Sequence, residues 1–212
     1  VIEAIVWDVG NVLVRWDVRA LYRKIFDDPD EMERFLAEVW TPEHNLRCDA
    51  GEPYADVIAE VVAEHPEHEA AIRAAWDRWI ETIPGPVEGS LELLAELRDA
   101  GYRQYGLTNF SAETLPLIGH YPHFELLDDV VASGHVGVTK PEPEIYRIVL
   151  ERAGVVADAA VFLDDSPTNV AGARAVGMHA IEFTDVPSAR RALASLGVRV
   201  APAAARAEDE AS

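Results

Sequence analysis

The chain has one cysteine, Cys48, among 212 residues. No intramolecular disulfide framework is possible, so a packed core must carry the stability. A reducing cytoplasm is the expected setting, with Cys48 an ordinary half-buried residue. Basic residues are also scarce: 18 Lys and Arg stand against 38 Asp and Glu, for a net charge of -20. Phosphate-rich partners need a basic face, so nucleic acid and an anionic membrane surface are both disfavoured. No apolar run approaches the roughly 20 residues of a membrane span. No secretory signal is expected, because an apolar strand pattern begins almost at once. What remains is a globular composition, 49% hydrophobic and 26% charged. The length suits one good-sized core or a core with a small inserted domain.

Residues 2–7 read as a buried strand. From about residue 17 to residue 83 the apolar period becomes helical. Met32, Phe35, Leu36, Val39 and Trp40 share one helix face. Tyr54, Val57, Ile58, Val61 and Val62 repeat the spacing, as do Ile72, Ala75, Trp76, Trp79, Ile80 and Ile83. This stretch predicts a small helical domain of roughly four helices. Pro84-Gly85-Pro86 reads as a linker. Strand and helix patterns then alternate: a helix capped by Ser90 and running to Ala100, strand 102–107, helix 111–118, strand 126–132, helix 143–153. Strand 159–163, helix 168–176, strand 178–183 and a last helix over 187–196 follow. Such alternation predicts an α/β fold, a doubly wound, Rossmann-like parallel sheet. The expected domains are a core of residues 1–15 and 85–200, a helical-bundle cap over 16–84, and a frayed acidic tail over 201–212.

Chemistry-bearing residues fall at the predicted strand ends. Asp8 closes Ile5-Val6-Trp7, and Asp164-Asp165 closes Ala160-Val161-Phe162-Leu163. Thr108-Asn109 and Lys140 complete the set. In an open parallel sheet the carboxyl edge is where ligands bind. Converging carboxylates repel unless a cation or a raised pKa relieves them, and an all-oxygen set suits Mg²⁺. A carboxylate can act as nucleophile toward a phosphoryl group. Thr108 can bond a phosphoryl oxygen, and Lys140 can neutralise charge on nucleophile and phosphoryl group alike. Gly10 lets the chain turn closely so that backbone N–H groups add donors.

In this arrangement the chain resembles the haloacid dehalogenase-like hydrolases with a helical cap inserted after the first strand. Four motifs carry the likeness in order: Asp8-Val9-Gly10-Asn11-Val12, Gly106-Leu107-Thr108-Asn109, Thr139-Lys140-Pro141 and Phe162-Leu163-Asp164-Asp165. The resemblance implies that Asp8 is a covalent nucleophile. It also implies Mg²⁺ on Asp8, the Gly10 carbonyl and Asp165, with Asp164 a ligand or a neighbour of the ligands. One departure matters. Most phosphatases of the family carry a second Asp two residues after the nucleophile, which protonates the leaving oxygen. Here that position is Gly10. The Asp-x-Gly-Asn-Val form resembles a branch that includes sugar-phosphate phosphatases.

The expected function is therefore a Mg²⁺-dependent phosphatase of a small phosphorylated metabolite, such as a sugar phosphate. Two alternatives stand beside it: a metal-independent 2-haloacid dehalogenase using Asp8, and a catalytically weakened binding protein of the same fold. In halide displacement an acidic pair would only add repulsion around the nucleophile, so Asp164-Asp165 favours the metal. Asp8, Lys140 and Thr108 are the expected catalytic groups. Gly10, Asn11, Asn109, Trp16 and His44 are the expected substrate-binding groups. His44 is placed in a polar loop, residues 41–47, between cap helices, where an imidazole could replace the absent acid. His120, His123, His135 and His179 lack metal-ligand spacing. Oligomeric state is not legible.

Overall fold

The computed structural model describes residues 1–201. The expected acidic tail thus lies, beyond Ala201, outside the described residues. Strand β1 (Ala4–Trp7) is completely buried, as suits an apolar run covered on both faces. Strand β2 (Val14–Arg15) leads into a helical insertion: α1 (Val18–Tyr22), α2 (Pro29–Glu38), α3 (Pro42–Asp49), α4 (Tyr54–Glu64) and α5 (Glu69–Asp77). The chain returns through β3 (Gly85–Pro86). After it come α6 (Ser90–Asp99), β4 (Arg103–Thr108), α7 (Leu115–Ile118), β5 (Asp129–Ala132) and α8 (Ser133–Val136). The fold closes with α9 (Pro143–Ala153), β6 (Ala160–Asp164), α10 (Pro167–Ala175), β7 (His179–Glu182) and α11 (Val186–Ser195).

Five strands form one parallel sheet in the order β5-β4-β1-β6-β7. The expected doubly wound α/β architecture is what forms. From β1 the chain moves outward through β4 and β5, then crosses back to β6 and outward to β7. The order reverses between β1 and β6, and ligands of open sheets bind outside the strand ends at such a point. The two-residue period of β1 feeds two cores. Ile5 and Trp7 pack with Leu93, Leu94 and Leu97 of α6 and Leu193 of α11. Ala4 and Val6 pack with Ile145, Tyr146 and Val149 of α9 and Ala173 of α10. The insertion contributes Phe35, Trp40, Val57 and Ile72 to the first of these cores.

Four local expectations are corrected. Residues 41–47 are not a loop: α3 begins at Pro42 with Thr41 at its N-cap. Thr followed by Pro is a helix start, but exposed Pro42, Glu43 and Leu46 give the segment the polarity of a loop. Pro84–Pro86 is not a free linker, because Gly85 and Pro86 pair antiparallel with Arg15 and Val14. Proline is tolerated in such a ribbon because it lies on a strand edge. Gly89, at φ 79°, rather than Ser90, occupies the N-cap of α6. Cys48 is fully buried rather than half-buried.

Candidate active site

The Asp8 loop is built by its own backbone. Asp8 N–H donates to the Leu163 carbonyl at 2.8 Å, which ties the end of β1 to β6. The chain then reverses: Leu13 and Val14 donate to the Val9 carbonyl, and Asn11 N–H donates to Val14 O. Asn11 sits at φ 59°, a left-handed conformation that Asn tolerates better than most side chains. Its side-chain oxygen accepts the Trp16 N–H at 3.0 Å. Gly10 needs no positive φ, and a Cβ there would meet only Phe110 Cε2 at 3.8 Å. Space for a side chain exists where the second acid is absent.

Lys140 is the pivot of the site. Its ammonium lies 2.7 Å from Asp8 Oδ1 and 2.7 Å from Asp164 Oδ2, with 2% of its side chain exposed. Asn109 fixes its backbone from both sides, donating to Lys140 O at 3.0 Å and accepting Lys140 N–H at 2.7 Å. The following bond, Lys140-Pro141, is cis. Helix α10 approaches this turn at Gly172, where a Cβ would stand 2.8 Å from Pro141 O. Only glycine admits that approach. Asp164 is fully engaged: Oδ1 accepts from Ser166 N–H and Asn169 Nδ2, and Oδ2 from Asn169 and Lys140. Ser166 caps α10, its side chain accepting from Asn169 N–H.

Burial would push the Lys140 ammonium down, but Asp8 and Asp164 outweigh it, so the group stays cationic. Burial drives the Asp8 carboxyl up, Lys140 opposes it, and Asp164 and Asp165 add to the rise. Asp165 is raised too, by burial first and then by Asp164. One ammonium thus faces three carboxylates. Asp8, Asp164 and Asp165 each offer an oxygen within 4.8 Å of the others. An all-oxygen donor set with surplus negative charge fits a hard divalent cation such as Mg²⁺. Because Asp164 is already committed, Asp8, Asp165 and the Gly10 carbonyl are the groups that would hold it.

These residues open onto a cleft of about 180 Å³. Of the expected site residues, Asp8, Gly10, Asn11, Trp16, Thr108, Asn109, Lys140 and Asp165 line it. Asp164 lies beneath, behind Lys140. His44 is not brought there: its Nδ1 accepts the Thr41 N–H at 3.1 Å and its ring stacks on Trp40. The sequence reading passed over Asn45 and Asp49, which line the cleft from α3. They stand four residues apart and so share a helix face, a signal visible only once residues 42–49 are read as helical. Asn169, Phe110 and Trp79 complete the wall, the two rings meeting edge to face. A second, more apolar recess of about 190 Å³ adjoins the cleft through Trp16 and Asn45 and extends to Val18, Leu36 and Trp40.

The site is a buried carboxylate cluster bridged by one lysine, at the switch point of a doubly wound sheet. The profile of the haloacid dehalogenase-like hydrolases matches residues 2–177. The chain belongs to that family. It is 26% identical over 92% of its length to drimenol cyclase drtB of Aspergillus calidoustus, and spans 36% of that protein. It is 27% identical to the sesquiterpene phosphatase astK of Aspergillus oryzae, over 86% of this chain and 90% of the relative. Among solved structures, a family enzyme of Bacteroides thetaiotaomicron in complex with magnesium and inorganic phosphate superposes with a TM-score of 0.67. Its identity is 23%, over 88% of this chain and 96% of that one. An L-2-haloacid dehalogenase of Xanthobacter autotrophicus, with chloropropionic acid covalently bound, gives 0.61 at 20% identity over 94% of this chain and 85% of that one. At these identities the solved structures speak for the fold alone.

Proposed function

We propose that the protein is a Mg²⁺-dependent phosphatase that works through an aspartyl phosphate on Asp8. The carrying observation is the excess of carboxylate over ammonium at the sheet edge, with Asp165 turned into the cleft beside the nucleophile. In a halide-displacing enzyme Asp165 would only repel the attacking carboxylate. The phosphatase relative covering nearly the full chain supports the same choice. A weakened binding protein fits poorly, because nucleophile, lysine and acidic pair are all assembled. No helix among the described residues is long and apolar enough to cross a membrane. The lone thiol supports a reducing compartment such as the cytoplasm.

Asp8 Oδ1 is held by the Val9 N–H at 2.7 Å and by Lys140, which leaves Oδ2 to attack phosphorus. Thr108, at the end of β4, and Lys140 face the phosphoryl oxygens. Bound Mg²⁺ would neutralise the surplus charge and polarise the phosphoryl group. The helical insertion serves as a cap. Its apolar recess, walled by Trp16, Leu36 and Trp40, favours an ester whose alcohol carries an apolar body over a sugar. The purified protein is expected to release phosphate from an aryl phosphate only with Mg²⁺ present, and Asp8→Asn to abolish the release. Metal-free chloride release from 2-chloropropionate, with no phosphatase activity, would replace this reading with the dehalogenase.

A further inference from the structure

The core supplies a nucleophile and no acid beside it. A leaving alkoxide needs a proton, and the position that holds the second Asp elsewhere in the family is Gly10. The other polar groups of the cleft fail for stated reasons. Thr108, Asn109, Asn11, Asn45 and Asn169 have no proton to exchange near neutral pH. Lys140 is locked between two carboxylates. Asp165 belongs to the carboxylate cluster. His44 caps its own helix away from the cleft. One titratable carboxyl remains among the described lining residues, and it comes from the insertion: Asp49, the last residue of α3.

Asp49 is positioned by the core. Ser111 N–H donates to its Oδ1 at 3.1 Å, and Ser133 Oγ donates to its backbone carbonyl at 2.5 Å. Asn45 Nδ2 reaches Oδ2 at 3.4 Å, a long contact that leaves this oxygen the freer one. Ser111 lies three residues beyond Thr108, so one loop aims both the phosphate-binding hydroxyl and this carboxyl. The close approach of the loop to α8 is built in: at Gly134 a Cβ would stand 2.3 Å from Ala112 N.

Resting on the phosphatase reading, we propose that Asp49 is the general acid and base of the reaction, supplied by the insertion in place of an acid at position 10. In the first half, Asp8 Oδ2 bonds to phosphorus and the P–O bond to the alcohol breaks. Its electron pair stays on the alcohol oxygen, which takes the Asp49 proton. In the second half, water attacks the aspartyl phosphate, Asp49 takes a proton from that water, and the Asp8–phosphorus bond breaks. Asp8 leaves as carboxylate and Asp49 is protonated again. The environment suits both roles. Burial pushes the Asp49 carboxyl up to about 7, against the opposing Ser111 N–H and Lys140. Lys140 acts on it from the core, and Cys48 and Tyr54 of the insertion are the titratable groups that feel its charge in turn.

The test is Asp49→Asn with Mg²⁺ present and two esters of unlike leaving group. With an alkyl phosphate, turnover should fall about 10²–10⁴-fold, the usual worth of positioned proton transfer. With 2,4-dinitrophenyl phosphate, whose leaving group needs no proton, the variant should release about one equivalent of phenolate per Asp8 in a burst and then stall. The alkaline limb of kcat/KM above about pH 7 should disappear. Gly10→Asp in the Asp49→Asn background should restore part of the alkyl-ester rate, because the position has room. Undiminished alkyl-ester turnover in Asp49→Asn would overturn the proposal. So would equal losses on both esters with no burst, an unmoved pH limb and no rescue, since that pattern marks a structural residue. A wild-type protein inert toward every ester would instead overturn the phosphatase reading.

Discussion

Replacing Lys140 with Met keeps the aliphatic stem and removes only the charge. The ammonium is 2.7 Å from each of two buried carboxylates. At an effective dielectric of about 20, such a contact is worth roughly 6 kcal/mol before desolvation is subtracted. The net quantity is smaller, because all three groups lose water on burial. Removing one partner of a buried ion pair costs about 3–5 kcal/mol, since the other charge is left uncompensated. Against a total stability of about 5–15 kcal/mol the variant should fold but be clearly weaker. For a chain of this size that corresponds to a fall in Tm of roughly 6–20 °C. The loss should also depend on pH. A carboxyl raised by folding leaves stability intact below its unfolded pKa and takes it away as pH rises through the folded value. Asp8 is raised already, and without Lys140 it rises further. The gap between wild type and variant should therefore be small near pH 5 and widen toward pH 8. Urea unfolding at both values, in chelator, measures it. A loss under about 1 kcal/mol at pH 8, or one equal at both pH values, would refute the account of Lys140 as a charge bridge.

Two further outcomes follow from packing. Gly134→Ala puts a methyl against the backbone of Phe110, Ser111 and Ala112, with every near contact under 3.0 Å. It should cost about 1–3 kcal/mol by thermal unfolding and lower turnover by shifting the loop that holds Asp49; unchanged Tm and rate would contradict the contact. Cys48 is fully buried, and its thiol is pushed up to about 12 by burial and by Asp49. An aromatic disulfide reagent should label it only at the rate of unfolding, and rapid labelling of native protein would show that α3 opens freely.

The readable parts of this molecule are those whose cause is local. Strands β1 and β6 are covered on both faces, so each is an apolar run that stops at a carboxylate, Asp8 or Asp164, whereas β4 opens on Arg103-Gln104 and has only Tyr105-Gly106-Leu107 before Thr108. The same property puts those residues at one edge, and a parallel sheet needs no further information to gather them. Lys140 reaches that edge by a longer route. The sequence marks it, yet its bridge between Asp8 and Asp164 depends on Asn109 gripping its backbone and on Gly172 admitting the turn. Helix α3 fails to register for a different reason. It is short, and Cys48 near its end is its one fully buried residue. His44, the one imidazole of α3, is the natural candidate in the sequence for the absent acid. The structure spends His44 on the helix start and brings the opposite end of α3, with Asp49, to the cleft. Nothing local makes Asp49 unusual among 38 acidic residues. Its distinction comes from tertiary burial and from Ser111, 62 residues away, which holds its Oδ1. A group whose chemistry is set by tertiary burial carries no mark in its own neighbourhood of sequence, and the gap at Gly10 is the only place where the chain announces that such a group is needed.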